Sequence, residues 1–115
     1  VEEMGGVDII LDDGSHHMNH IPQTLNFLFP FLSENGIYMI EDLHTAYWPR
    51  YGGRYRSKKN FFHLIREIID DMHHWYHGRS IKFPKISKEC SAIHIHDSIV
   101  VLEKNKVFTP VHSII

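Results

Sequence analysis

Two short apolar runs, each stopping abruptly at acidic residues, constrain this chain more than any other feature. Val7-Asp8-Ile9-Ile10-Leu11 runs into Asp12-Asp13-Gly14-Ser15, and Ile37-Tyr38-Met39-Ile40 runs into Glu41-Asp42. Runs this short, closed by loop residues, read as strands buried on both faces, as in a parallel sheet. Between them Ile21, Leu25, Leu28, Phe29 and Leu32 recur at helical spacing. Asn19 is the expected N-cap, and Pro22 falls in the first turn, where its missing N–H costs little. Pro30 breaks the regularity, and Asn35-Gly36 supplies the turn into the second strand. Strand, helix and strand with short connections form a right-handed βαβ unit, so the strands are parallel and both acidic clusters lie on one edge of the sheet.

From Leu43 to Lys59 the chain is polar, aromatic and glycine-bearing with no clear period, the pattern of a long functional loop over that edge. Phe61, Ile65, Ile68, Ile69 and Met72 mark a second amphipathic helix ending near Gly78. After a linker containing Pro84, residues 91–96 and 99–103 flank Asp97-Ser98 as an antiparallel hairpin. The expected fold class is α/β: the carboxy-terminal half of a Rossmann-like sheet, with parallel strands, crossover helices and a closing antiparallel hairpin. A fully buried parallel strand needs neighbours on both sides, and the glycine-rich loop of a doubly wound sheet's first strand is absent. Residues 1–115 therefore read as a partial domain, and an exposed central strand edge would invite self-association into a homo-oligomer.

Composition narrows the function classes. With 12 Lys plus Arg against 14 Asp plus Glu, the net charge of -2 gives no field to draw nucleic acid or an acidic membrane surface. Cys90 has no partner for an internal disulfide, which fits a reducing, cytoplasmic setting. Val1 to Gly6 lack the basic and apolar regions of a signal peptide, and no apolar run approaches the roughly 18 residues of a membrane span.

The chemistry lies in the two acidic strand ends. Carboxylates at the ends of adjacent strands can converge on one ion, and hard oxygen donors without a thiolate favour magnesium, calcium or manganese over zinc. Solvated loop acids and helix caps are the competing reading of each acid taken singly, and Asp12 keeps it longest, because the loop turns only one of two neighbouring residues toward an ion. His16, three residues beyond Asp13, suits a general base, or is a surface histidine beside a helix start. His17 and His20 read as structural. A zinc site at His16 and His20, or at His73 and His77, has the right spacing but lacks the glutamate of His-Glu-x-x-His. His94 and His96 share a strand face as a hydrogen-bonded or solvated pair. Tyr47, Trp48, Tyr51 and Tyr55 either stack on a sugar ring or pack the loop down.

The run Asp8-Ile9-Ile10-Leu11-Asp12-Asp13-Gly14-Ser15-His16, followed by Ile40-Glu41-Asp42-Leu43-His44-Thr45-Ala46-Tyr47-Trp48, resembles the macrolide-sugar O-methyltransferases of the mycinamicin and macrocin type. The resemblance covers nearly the whole chain. It implies a class I methyltransferase sheet, with this chain supplying the fourth to seventh strands, and the cofactors S-adenosylmethionine and magnesium. It further implies that Asp13, Glu41 and Asp42 bind the metal, that His16 is the base, and that the acceptor is a small glycoside or saccharide, with Tyr47 and Trp48 as its candidate contacts. The amino-terminal half, which in that family holds the glycine-rich loop and most S-adenosylmethionine contacts, is missing from the match. Two other readings stand beside it: a catalytically silent, histidine-rich module that binds transition metals, and an iron-dependent hydroxylase, whose two-histidine, one-carboxylate triad is not obvious.

Overall fold

Cross-strand register decides which residues of this chain are buried. The computed structural model describes residues 7–111; the reading of Val1 to Gly6 as lacking leader character, and both ends of the 1–115 assignment, lie outside them. Strands β1 (Val7–Asp12), β2 (Leu32–Ile40), β3 (Cys90–His96) and β4 (Ile99–Lys104) form one sheet in the order β1-β2-β4-β3. β1 and β2 are parallel as expected, whereas β4 runs antiparallel to both β2 and β3. Ile10 pairs with Tyr38, Tyr38 with Leu102, and Leu102 with Ile93, which makes one row across the sheet. Tyr38 and Leu102 are fully buried, and Ile10 and Ile93 pack against the same core.

Helices α1 (Ile21–Leu28), α2 (Phe61–Met72) and α4 (Pro84–Ser87) contribute Leu25, Ile65, Ile68 and Ile86 to that core. α1 and α2 are helices because their apolar residues fall at three- and four-residue spacing and so make one stripe each. Asn60 caps α2 by accepting from the Phe62 N–H at 2.8 Å, a local signal of the usual kind.

Several expectations need correction. β1 is not buried on both faces: it lies at the edge of the described sheet, and Ile9 and Leu11 are 65% and 57% exposed, because the helices share a core with only the opposite face. Asn19 does not cap α1. The cap position is His20, without a side-chain bond, because a turn closed by the His17 carbonyl carries the chain one residue further before the helix starts. Pro22 does lie in the first turn. Leu32 opens β2 instead of ending the helix, since a 3-10 turn at Phe29–Phe31 accommodates Pro30. Asn35-Gly36 turns the chain within β2, where residues 33–36 loop out against Asp8 alone. The second helix ends at Met72, and a separate turn of helix, α3 (His74–His77), reaches Gly78, whose positive φ of 72° terminates it. The Pro84 linker contains α4, fastened by Asp71, a carboxylate only 3% exposed. Asp71 accepts from the Lys82 and Phe83 N–H groups at 2.9 Å each and from the Ser87 hydroxyl at 2.7 Å.

Candidate metal and catalytic centre

Parallel pairing of β1 with β2 brings their carboxyl ends together, and the Glu41 N–H donates to the Asp12 carbonyl at 3.2 Å just beyond the last β2 residue. From there the side chains diverge. Asp12 turns back: its carboxylate accepts from the Gly14 N–H at 3.2 Å and from the Tyr38 hydroxyl at 3.1 Å. Burial first, and then the Asp12 charge and this hydrogen bond, hold the Tyr38 hydroxyl well above the ordinary phenol range. Asp12 is thus a structural acid.

Asp13, His16 and Asp42 instead converge. The His16 Nε2 lies 3.5 Å from the Asp13 Oδ1 and 3.7 Å from an Asp42 Oδ2, and one donor atom from each of the three falls within 4.8 Å of the others. Among the described residues no other group of three histidine, cysteine or acidic side chains is this close. Glu41 does not join it; it precedes Asp42, whose left-handed backbone (φ 57°) re-aims the chain at that residue. His16 is also left-handed, at φ 61°. Two non-glycine residues in this conformation persist only where their surroundings fix them.

Thr45 joins the two loops at the centre itself, between the Glu41 N–H bond to the Asp12 carbonyl at the strand ends and the Met18 N–H bond to the Tyr51 carbonyl (2.7 Å) further on. Its side-chain oxygen lies 2.9 Å from the His16 carbonyl and 3.2 Å from the Asp42 carbonyl, and its hydroxyl donates to them from a site 3% exposed. The stretch expected to be a periodless loop is in fact wound into 3-10 turns at Leu43–Tyr47 and Pro49–Tyr51, with Leu43, Thr45 and Ala46 buried. Gly53 allows this winding. A Cβ there would overlap the Ala46 carbonyl and come within 2.7 Å of the Thr45 oxygen, and neither backbone group can give way. Gly53→Ala is expected to cost about 1–3 kcal/mol of stability; an unchanged urea midpoint would refute this account of the turn.

A cleft of about 600 Å3 is bordered by the turn that follows Asp42, and is lined by His44, Tyr47, Phe62, Arg66, Ile95 and Asp97 among others. Tyr47, 46% exposed, stacks on Phe62 with 5.9 Å between ring centroids, so it both packs the turn and faces the cleft. Trp48, 43% exposed, meets His44 edge-on at 4.8 Å and does not line the cleft. Sequence reasoning passed over His44. It is fixed by Ser98 in the hairpin turn, whose Oγ accepts from the His44 N–H at 3.1 Å and pairs with Nδ1 at 2.9 Å. Its place directly after the acidic strand end was the available signal.

Neither zinc alternative gains a third ligand: among the described residues His16 groups with two acids and not with His20, and His73 and His77 belong to no group of three. His20 Nδ1 pairs with the Ser15 hydroxyl at 2.7 Å. His73 Nδ1 and His77 Nε2 bond the Ile69 and Asp70 carbonyls, and the other nitrogen of His77 accepts from the Arg79 N–H. His94 pairs with Glu103 across the hairpin, as a hydrogen-bonded strand histidine should. One histidine with two carboxylates is also the reverse of the iron triad. Cys90 is buried, and burial pushes its thiol up to about 12, which leaves it a neutral core residue. No described helix is long and apolar enough to cross a membrane.

No family model matches the chain. It is 30% identical over 106 residues to 8-demethyl-8-alpha-L-rhamnosyl tetracenomycin-C 2'-O-methyltransferase of Streptomyces olivaceus, covering 90% of this chain and 28% of that protein. It is 33% identical over 107 residues to demethylmacrocin O-methyltransferase of Streptomyces fradiae, covering 87% of this chain and 27% of that protein. The solved MycE methyltransferase of the mycinamycin biosynthetic pathway, in complex with Mg, SAH and mycinamycin VI, matches with a TM-score of 0.77 at 30% identity, over 86% of this chain and 26% of that one. The chain therefore spans little more than a quarter of the length of these relatives. Its mixed sheet is the methyltransferase fold expected from the two motifs.

Proposed function

We propose that the chain, which belongs to the macrolide-sugar O-methyltransferase family, supplies the metal-binding and proton-accepting side of a methyl-transfer site. The observation that carries this reading is the convergence of Asp13, His16 and Asp42 at the carboxyl ends of two parallel strands, the crevice where open α/β sheets bind ligands.

The donor set fits magnesium. Two exposed carboxylates leave room for the waters and substrate oxygens that this ion keeps, and it is usually held by one or two acids. Asp13 and Asp42 would hold it, with Glu41 as the third acid that the family resemblance supplies. A bound magnesium would lower the pKa of a chelating sugar hydroxyl and fix its direction. His16, held between Asp13 and Asp42, takes the hydroxyl proton on Nε2. The sugar oxygen then bonds to the methyl carbon of S-adenosylmethionine as the sulfur–carbon bond breaks, and S-adenosylhomocysteine leaves as a neutral thioether. The cleft lined by Tyr47 and Phe62 receives the glycoside, where an aromatic face suits a sugar ring, and Trp48 packs edge-on against His44, one of the lining residues.

Calorimetric titration with magnesium tests the metal assignment on the chain itself. Asp13→Ala and Asp42→Ala should each weaken binding at least as much as the roughly 10–100-fold lost when a ligand's supporting partner is removed, and Glu41→Ala should weaken it as well. Full affinity in Glu41→Ala alone would reduce the ligand set to the converging pair. Nickel or zinc binding without any response to magnesium would favour the silent, histidine-rich module instead.

A further inference from the structure

We propose that Thr45 is a positioning residue for the Asp13, His16 and Asp42 centre: its hydroxyl ties the loop after β1 to the loop after β2 and so sets the spacing of base and acids. The inference rests on the metal reading above and deepens it. His16 and Asp42 come from loops 26 residues apart in sequence, and each takes a left-handed backbone. Each of these residues also presents its carbonyl to the same side-chain oxygen, at 2.9 Å and 3.2 Å. A hydroxyl has one proton, so it is shared between the two acceptors, and at 3% exposure water is poorly placed to substitute for it. The orientation of the peptide that follows each residue is thereby fixed, and with it the turn that aims each side chain.

Thr45 is itself anchored from the other side. The neighbouring Leu43 N–H donates to the Ser98 carbonyl at 2.8 Å, and the Trp48 N–H donates to the Thr45 carbonyl at 3.0 Å. The 3-10 turn is therefore a fixed platform, and the Thr45 hydroxyl is its link to the β1 loop at His16; the Met18 N–H, bonded to the Tyr51 carbonyl at 2.7 Å, secures the far end of that loop and leaves the His16 peptide to Thr45. Removal of the hydroxyl should leave the turn folded while the His16 loop loses its register against Asp42. Loss of such a supporting partner typically costs about 10–100-fold in metal affinity.

The test uses the chain with manganese as the probe ion, comparing Thr45→Val, which keeps the branched shape without the donor, and Thr45→Ser, which keeps the donor. Thr45→Val is expected to weaken manganese binding about 10–100-fold, and Thr45→Ser to restore most of it. Independently of metal, the amides of His17 and Leu43, whose peptide carbonyls accept the bond, should both shift in Thr45→Val and return in Thr45→Ser. Equal manganese affinity in all three proteins, or amide shifts confined to residues 42–48, would overturn the proposal. Absence of binding in the parent chain would overturn the metal reading, and the tie would then be decided by the amide shifts alone. If Thr45→Val does not fold, the parent chain still decides: a slowly exchanging Thr45 hydroxyl proton near both loops supports the tie, and one in fast exchange with water refutes it.

Discussion

His16→Ala in the active enzyme is expected to lower kcat by about 10²–10⁴-fold, the range lost with a positioned general base, while magnesium affinity is largely kept. The split follows from the position of the ring. Nε2 sits between two carboxylates at 3.5 Å and 3.7 Å, where it can take a proton from a hydroxyl bound beside them. The same position would also let it ligate an ion, because its nitrogen belongs to the group within 4.8 Å. The measurement therefore pairs single-turnover methyl transfer with magnesium titration. A rate loss with intact binding identifies the base. Equal loss of binding in His16→Ala and Asp13→Ala would make His16 a ligand, and an unchanged rate would remove it from the chemistry.

How much of this centre was legible depended on the periodicity around each residue. Asp13, His16 and Asp42 could be read because they follow two strands whose pairing is forced by a short crossover, and a parallel pair must place its carboxyl ends together. Glu41 stands beside Asp42 in the sequence yet is not in the group of three, and the left-handed backbone at Asp42 is a property with no sequence period. Thr45 stood in the second motif as a letter only; its hydroxyl acts across 29 residues, which no local pattern reports. The exposure of β1 was misread for a related reason: an apolar run states what a strand tolerates on its faces, whereas the cover over Ile9 and Leu11 depends on which other elements meet that face. The hairpin was read correctly because alternation and its two-residue turn are both local.

Asp71→Ala is expected to cost about 3–5 kcal/mol, because three neutral donors lose a charged acceptor and each such bond contributes about 1.5–3 kcal/mol, and this is a large share of the roughly 5–15 kcal/mol that holds a domain folded. Periodicity gave no warning of this acid: Asp70 and Asp71 are adjacent at the end of α2, and only the second turns inward. The Asp71 carboxylate satisfies the Lys82 and Phe83 N–H groups and the Ser87 hydroxyl, so it fastens the segment that carries α4 and its core residue Ile86. An alanine would leave these donors facing a nearly closed site, and each orphaned buried group costs about 1–3 kcal/mol. Ser87→Ala removes one donor and should lose only about 0.5–1.5 kcal/mol. In the double variant the two losses should fall short of their sum, because both remove the same bond. Urea midpoints check the magnitudes, and hydrogen exchange at the Lys82 and Phe83 amides should accelerate in Asp71→Ala alone. Asp71 has no part in the acidic centre, so the fraction of Asp71→Ala that remains folded should bind magnesium as the parent does. An unchanged midpoint would mean that water replaces the carboxylate, and Asp71 would then be a passenger in the fold and not its fastening.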